Sequence, residues 1–256
     1  MASLDLLVYL IVLCRVSGFL LTAPIFSSKQ IPMQLRLGIC LILTIVIAMT
    51  QQPIINLQIS NSLHYILILA TEILIGYAIG LIAYLISIAI QTAGQLIDMT
   101  IGFAMVNVLD TQSGIQIPLI GNFLYTISLL IFLCINGHHF LISALSQSYN
   151  MIPITGAMVF DGQFAMWLMK TVAQMFFIAV KIAIPIVFSM LIADLALGFL
   201  ARVVPQMNIF IIGFPAKITG GLVLLLVMMP TFGWFIQNMF EQWYIIIDQS
   251  MKVLGA

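Results

Sequence analysis

Three histidines, three cysteines and a few charges set inside apolar sequence are the residues of this chain whose types invite chemistry. His64, His138 and His139 could ligate a metal or relay protons. Adjacent His138 and His139 would point to different faces of a helix, and there is no His-Glu-x-x-His spacing to build a zinc site. The reading is therefore no metal and no cofactor. Cys14, Cys40 and Cys134 are odd in number and sit in apolar runs, where cysteine serves as a small hydrophobe rather than a disulfide partner or ligand. Neither a Gly-x-Ser-x-Gly elbow nor a phosphate-binding glycine loop followed by lysine is present. Enzymatic chemistry is not expected.

The charges carry more information. Arg15, Glu72, Lys170, Lys181 and Lys217 lie within apolar stretches, where each costs at least ~2.5 kcal/mol on membrane-insertion scales. Each must find a partner or water. Internal ion pairs are one solution, with Glu72, Asp98 and Asp194 as the available acids; partners from neighbouring subunits are the other. With Asp98 and Arg202, these residues are the candidate assembly or pore-wall charges.

The elements that must position them are helices in or beside a membrane. Hydrophobic residues make up 63% of the 256-residue chain and charged residues 6%, too few to clothe a water-soluble core. Six apolar runs stand out: Leu4 to Ala23, Leu37 to Met49, Leu63 to Ile90, Ile115 to Ile135, Phe164 to Ile192 and Ile209 to Phe235. Eight basic residues balance eight acidic ones, which leaves no patch for nucleic acid. The first run follows Asp5 and lacks a small-residue cleavage site, so it is expected to stay as a helix. The connection Ile25 to Arg36, with Lys29, Pro32 and Arg36, is the candidate cytoplasmic loop. Alternation then puts the N-terminus and the Gln51 to Ser62 loop outside and the Asp98 to Gln116 loop inside.

The third run is too long for one upright span. From Leu63 to Asp98 a helix would measure roughly 54 Å, against about 30 Å of hydrocarbon, so it must tilt, break or project. Gly76, Gly80, Ala83, Ser87 and Gly94 recur along one of its faces, with Glu72 and Asp98 at the ends. Such a seam permits close helix approach, either within the chain or against another subunit, or it lines an aqueous path. After it, Gly102 to Gly114 has turn-forming residues yet carries Phe103, Met105, Val106, Val108 and Leu109, an apolar load suited to docking rather than to open water. Farther on, Lys170, Gln174 and Lys181 share a helical face, Pro185 should kink that helix, and Gly213-Phe214-Pro215 should interrupt the last run.

Several short stretches together carry a family resemblance. Arg15, Pro24, Pro32 and Arg36 come first, followed by GQLIDMTIG at Gly94 to Gly102 and DTQSGIQIPLIG at Asp110 to Gly121. Asn136-Gly137-His138-His139 follows, then the stretch from Leu197 through Arg202, Pro205, Asn208 and Phe210, and finally Gly213 and Pro215. Over essentially its full length the chain resembles the FliR family of flagellar type III export-gate subunits, and it shares an outline with the injectisome counterparts. The resemblance implies an all-α, membrane-associated subunit with about six long, kinked or broken helical segments forming hairpins. Residues 1–98 would be the N-terminal helical segments, 99–117 a plug-type loop and 118–256 the C-terminal hairpins of a single subunit.

It further implies a gate shared with FliP and FliQ subunits, together with FlhB and FlhA, at the flagellar basal body in the bacterial inner membrane. Unfolded flagellar proteins would be the transient substrates of its pore. The plug maps onto Met105, Val106, Val108, Leu109 and Asp110. A different reading is a small-molecule secondary transporter with a midplane site near Gly213 and Pro215, disfavoured because the two halves show no convincing repeat.

Overall fold

The computed structural model describes residues 2–28, 30–51, 62–103, 118–152, 154, 162–206 and 209–255. Seven helices account for nearly all of them, and no strand occurs among them. In chain order they are α1 (Ala2–Thr22), α2 (Met33–Gln51), α3 (Ser62–Ile101), α4 (Leu119–Cys134), α5 (Gly137–Met151), α6 (Gly162–Val203) and α7 (Ile209–Gly255).

Of the three courses open to the long third run, breaking is not taken: α3 is a continuous helix of 40 residues, about 60 Å at 1.5 Å per residue. Pro185 lies inside continuous α6, and Pro215 and Pro230 lie inside continuous α7. The expected interruption of the last run at Gly213 and Pro215 is thereby corrected, since α7 runs through both. A proline removes one N–H and one intrahelical bond, and an apolar segment with no competing donors or water loses more by breaking its other bonds than by tolerating that gap. The break between α6 and α7 falls instead after Val203, around Pro205.

α5 was not among the expected runs. The chain turns at Ile135–Asn136, where Asn136 adopts a left-handed conformation with φ 58° and ψ 30°, one that asparagine tolerates better than most residues. Beyond the turn, α5 buries Leu141, Ala144, Leu145 and Ser148, a single face at i, i+3, i+4 and i+7. Its other face carries His139, Ser143 and Gln147, which hides the helix from any search for unbroken apolar sequence.

The chain forms two compact units, each assembled from distant parts of the sequence. The first comprises Met1–Ile86, Leu133–Val172 and Phe240–Ala256. Its core contains Ile11, Val12, Val16 and Phe19 of α1, Ile75, Ile79 and Ile82 of α3, Leu141 and Leu145 of α5, and Trp243 of α7. The Trp243 indole donates a hydrogen bond of 2.8 Å to the Ile82 carbonyl, giving its N–H a partner away from water. The second unit comprises Ser87–Phe132 and Ala173–Met239, with Ile90, Ile97, Ile101, Ile120, Leu124, Ala183 and Met190 buried.

Among the described residues four helices, α2, α3, α6 and α7, are each long and apolar enough to cross a membrane, and α4 with α5 pass the same test only as a pair bent by 71°. They differ in cover. Of the most apolar stretch, 67% is buried within the chain for α3, but 33% for α6 and 17% for α7. α6 therefore presents Phe176, Phe177, Phe188, Leu195 and Phe199 outward, and α7 presents Ile211, Leu226, Val227 and Trp234.

Candidate functional site

Arg15 and Glu72 meet in the core of the first unit. The guanidinium donates from Nε to Glu72 Oε2 at 2.5 Å and from Nη2 to Oε1 at 3.0 Å, the bidentate fork that suits arginine and carboxylate. Nη1 donates to Ser148 Oγ at 3.1 Å and Nη2 to the Ile152 carbonyl at 3.2 Å. The Tyr149 ring covers the guanidinium carbon at 4.1 Å from its centroid. Arg15 is fully buried, and Glu72 nearly so.

The small-residue seam brings α1 close enough for this. A Cβ on Gly76 would collide with the Arg15 carbonyl, and one on Gly80 with the Thr22 hydroxyl; without them the two backbones pack directly. Of the two solutions open to buried charges, Arg15 and Glu72 adopt the internal pair. Sequence reasoning missed Ser148 and Tyr149, whose only signal was the helical spacing of the α5 core positions.

At the other end of the seam, in the second unit, Gly94 lies against the Gly121 backbone with no room for a Cβ. One turn on, the buried Asp98 carboxylate accepts hydrogen bonds from Ile120 N–H, at 3.0 Å to Oδ1 and 3.1 Å to Oδ2, and from Gly121 N–H at 3.2 Å. These are among the unpaired donors at the start of α4, and the negative charge also opposes the positive end of the helix dipole. Ala83 and Ser87, between these ends, are buried too. Asp98 thus fastens the end of α3 to the start of α4.

Asp98→Ala is expected to cost about 1–2 kcal/mol at this cap, speeding amide exchange at Ile120 and Gly121 by roughly 5–30-fold. Asp98→Asn, which keeps an acceptor, should retain much of the protection. Unchanged exchange in the alanine variant would mean that the carboxylate does not hold α4.

Gly102 sits at φ 107°, a backbone that favours glycine; a Cβ there would come within 3.1 Å of the Phe214 ring. The described chain stops at Phe103, one residue beyond this point, and resumes at Pro118, two residues before the Ile120 N–H that Asp98 holds. The expected plug residues Met105, Val106, Val108, Leu109 and Asp110 lie outside the described residues, as does Asn208.

The remaining charges are more open. Lys217 Nζ approaches Asp194 Oδ1 at 2.7 Å, joining α7 to α6. Lys170, Lys181 and Arg202 are exposed and have neither an ion pair nor a hydrogen bond to the described residues. The His138 and His139 rings lie 4.3 Å apart between centroids and are tilted by 37° at the start of α5, Gly137 beside them is buried, and Pro205 is exposed in the α6–α7 turn. No group of three or more His, Cys, Asp or Glu among the described residues could hold a metal ion, and their three cysteines are free. The arrangement of the described residues supports packing and docking, and no nucleophile, base and acid come together among them.

Residues 6–243 match the family model described as bacterial export proteins, family 1. The chain is 38% identical to the flagellar biosynthetic protein FliR of Bacillus subtilis strain 168, over 91% of this chain and 90% of that protein. It is 31% identical to FliR of Escherichia coli K12, over 94% and 92% of the two chains, and 28% identical to FliR of Aquifex aeolicus, over 93% and 92%. With a family model spanning most of its length and likeness running nearly end to end, the chain belongs to the FliR family of bacterial export proteins.

Proposed function

We propose that this chain is a structural and gating subunit of the flagellar type III protein export gate, a component of the apparatus that moves unfolded flagellar proteins across the inner membrane. The names of its relatives support the flagellar assignment over an injectisome counterpart. One structural observation carries the subunit reading. α6 and α7, of 42 and 47 residues, would extend about 63 and 70 Å, whereas hydrocarbon is about 30 Å thick. Their apolar surface is mostly uncovered within the chain. Lipid can cover only part of such lengths, and water is a poor solvent for the rest. Other subunits complete the cover, and FliP and FliQ, with FlhB and FlhA, are the partners assigned to it.

Exposed Lys170, Lys181 and Arg202 are assigned to contacts outside the chain, in the assembly or at its lipid boundary. The segment holding Met105, Val106, Val108, Leu109 and Asp110 is the plug, anchored at its base by the Asp98 clasp. Apolar side chains close a narrow path by excluding water and ions, and an arriving unfolded chain displaces them. No covalent step is needed.

Purification tests the assignment directly. Co-expressed with FliP and FliQ subunits, the tagged chain should come out in one stable hetero-oligomer; expressed alone, it should aggregate or fail to accumulate. A monodisperse, stable chain without partners would instead support a self-sufficient transporter.

A further inference from the structure

The second unit contains an apolar cavity of about 250 Å³. Pro185 and Ile186 of α6 and Met228, Phe232 and Phe235 of α7 contribute to its walls, and the lining side chains are apolar except for Lys181 and Thr231. That lining is too poor in polar groups to hold ordered water, which needs two to four partners per molecule. Its two methionines adapt readily to an irregular apolar guest.

Lys181 marks one side. Its ammonium lies 5.3 Å from the centroid of the Phe235 ring, a contact that leaves its N–H donors available to an anion. Lys217 and Lys252 pair with Asp194 and Asp248, but no carboxylate among the described residues reaches Lys181. On α6 its nearest neighbours on that face are exposed Phe177, Ile184 and Phe188, with the polar Gln174 and Lys170 two and three turns toward the helix start, so next to the cavity the charge is bordered by apolar side chains. Pro185 has no N–H to give to the Lys181 carbonyl, four residues earlier, which leaves a second polar group at the same turn.

An apolar cavity beside a membrane fills with hydrocarbon, and one unpaired cation at its edge selects an anionic head. We infer that the cavity takes an acyl chain of an anionic phospholipid whose phosphate pairs with Lys181. This rests on the membrane location of the chain and not on its role in a gate. The long lysine stem lets the ammonium reach a headgroup while its methylenes stay on the apolar wall.

Photolabelling tests the site in the protein purified with whatever subunits remain attached, reconstituted in phosphatidylcholine bilayers. The probes are phosphatidylglycerol and phosphatidylcholine, each carrying a diazirine on the acyl chain. Phosphatidylglycerol should label the α7 segment around Met228 and Phe232, and unlabelled phosphatidylglycerol, but not phosphatidylcholine, should compete. Lys181→Gln should weaken that labelling about tenfold, as expected for losing one charge-assisted contact. Lys181→Arg should keep it, and Met228→Trp, which fills the cavity without touching the charge, should abolish it.

Equal labelling by the two lipids, or an unaltered signal in either Lys181→Gln or Met228→Trp, would overturn the proposal. So would loss of another subunit from Lys181→Gln with lipid labelling unchanged, since the lysine would then face protein. Should Lys181→Gln fail to accumulate, the comparison of Lys181→Arg with Met228→Trp decides.

Discussion

Arg15→Met alone should severely destabilise the chain, and adding Glu72→Leu should recover most of the loss. The single change leaves a carboxylate buried without its cation, a situation that costs about 3–5 kcal/mol. In a domain of this size that corresponds to roughly 6–20 °C in apparent melting temperature, enough to clear the chain from the membrane in cells. The double change removes both charges, and a well-packed apolar pair is often as stable as the ions it replaces. Ser148 would not be orphaned, because its hydroxyl also donates to the Leu145 carbonyl at 2.7 Å. Thermal unfolding of the purified complex, read beside its yield, is the measurement. If the double variant is as damaged as the single, the pair contributes stability of its own beyond satisfying a buried charge; an unaffected single variant would mean the node is open to water.

Deleting Val106 to Thr111 should leave the assembly intact and make the membrane permeable to small ions. The bases on either side, Gly102 against Phe214 and Asp98 on Ile120 and Gly121, lie outside the deletion, so the helices that pack the second unit keep their contacts. On the proposed plug assignment the deletion removes the apolar seal, and a dewetted constriction that loses its lining fills with water and conducts. Potassium efflux from vesicles bearing the purified complex, with co-purification as the control for assembly, separates the two effects. An ion barrier that survives the deletion in an assembled complex would rule out the plug assignment for this segment.

These expectations differ in how much of their basis was legible beforehand. That the chain is helical and membrane-associated follows from its apolar runs, and most of the helices lie where those runs do. The α3 seam was visible as a pattern, but a repeat of small residues does not say which backbone will approach. α1 fills it at Gly76 and Gly80, and Gly121 meets it at Gly94. Gly213 and Pro215 looked like a break because proline and glycine are weak helix formers in water; in apolar surroundings the helix runs through them. α5 escaped notice because its buried face is only one side of a helix with a polar other side.

The sequence by itself determined the class of protein, the family, the positions of the apolar segments and the short list of charges that had to be accounted for, because each depends on local composition or on stretches of contiguous residues. Only the tertiary structure decided what those charges do. Arg15 and Glu72 are separated by 57 positions, and Ser148 stands 133 from Arg15; one-dimensional spacing holds no record of such neighbours. Burial converts the first pair into a core lock, a helix start converts Asp98 into a clasp, and exposure leaves Lys170, Lys181 and Arg202 to the surroundings. The same charged side chains in the same kind of apolar sequence acquire different roles because the cost of an ion depends on what the fold places within about 3 Å of it.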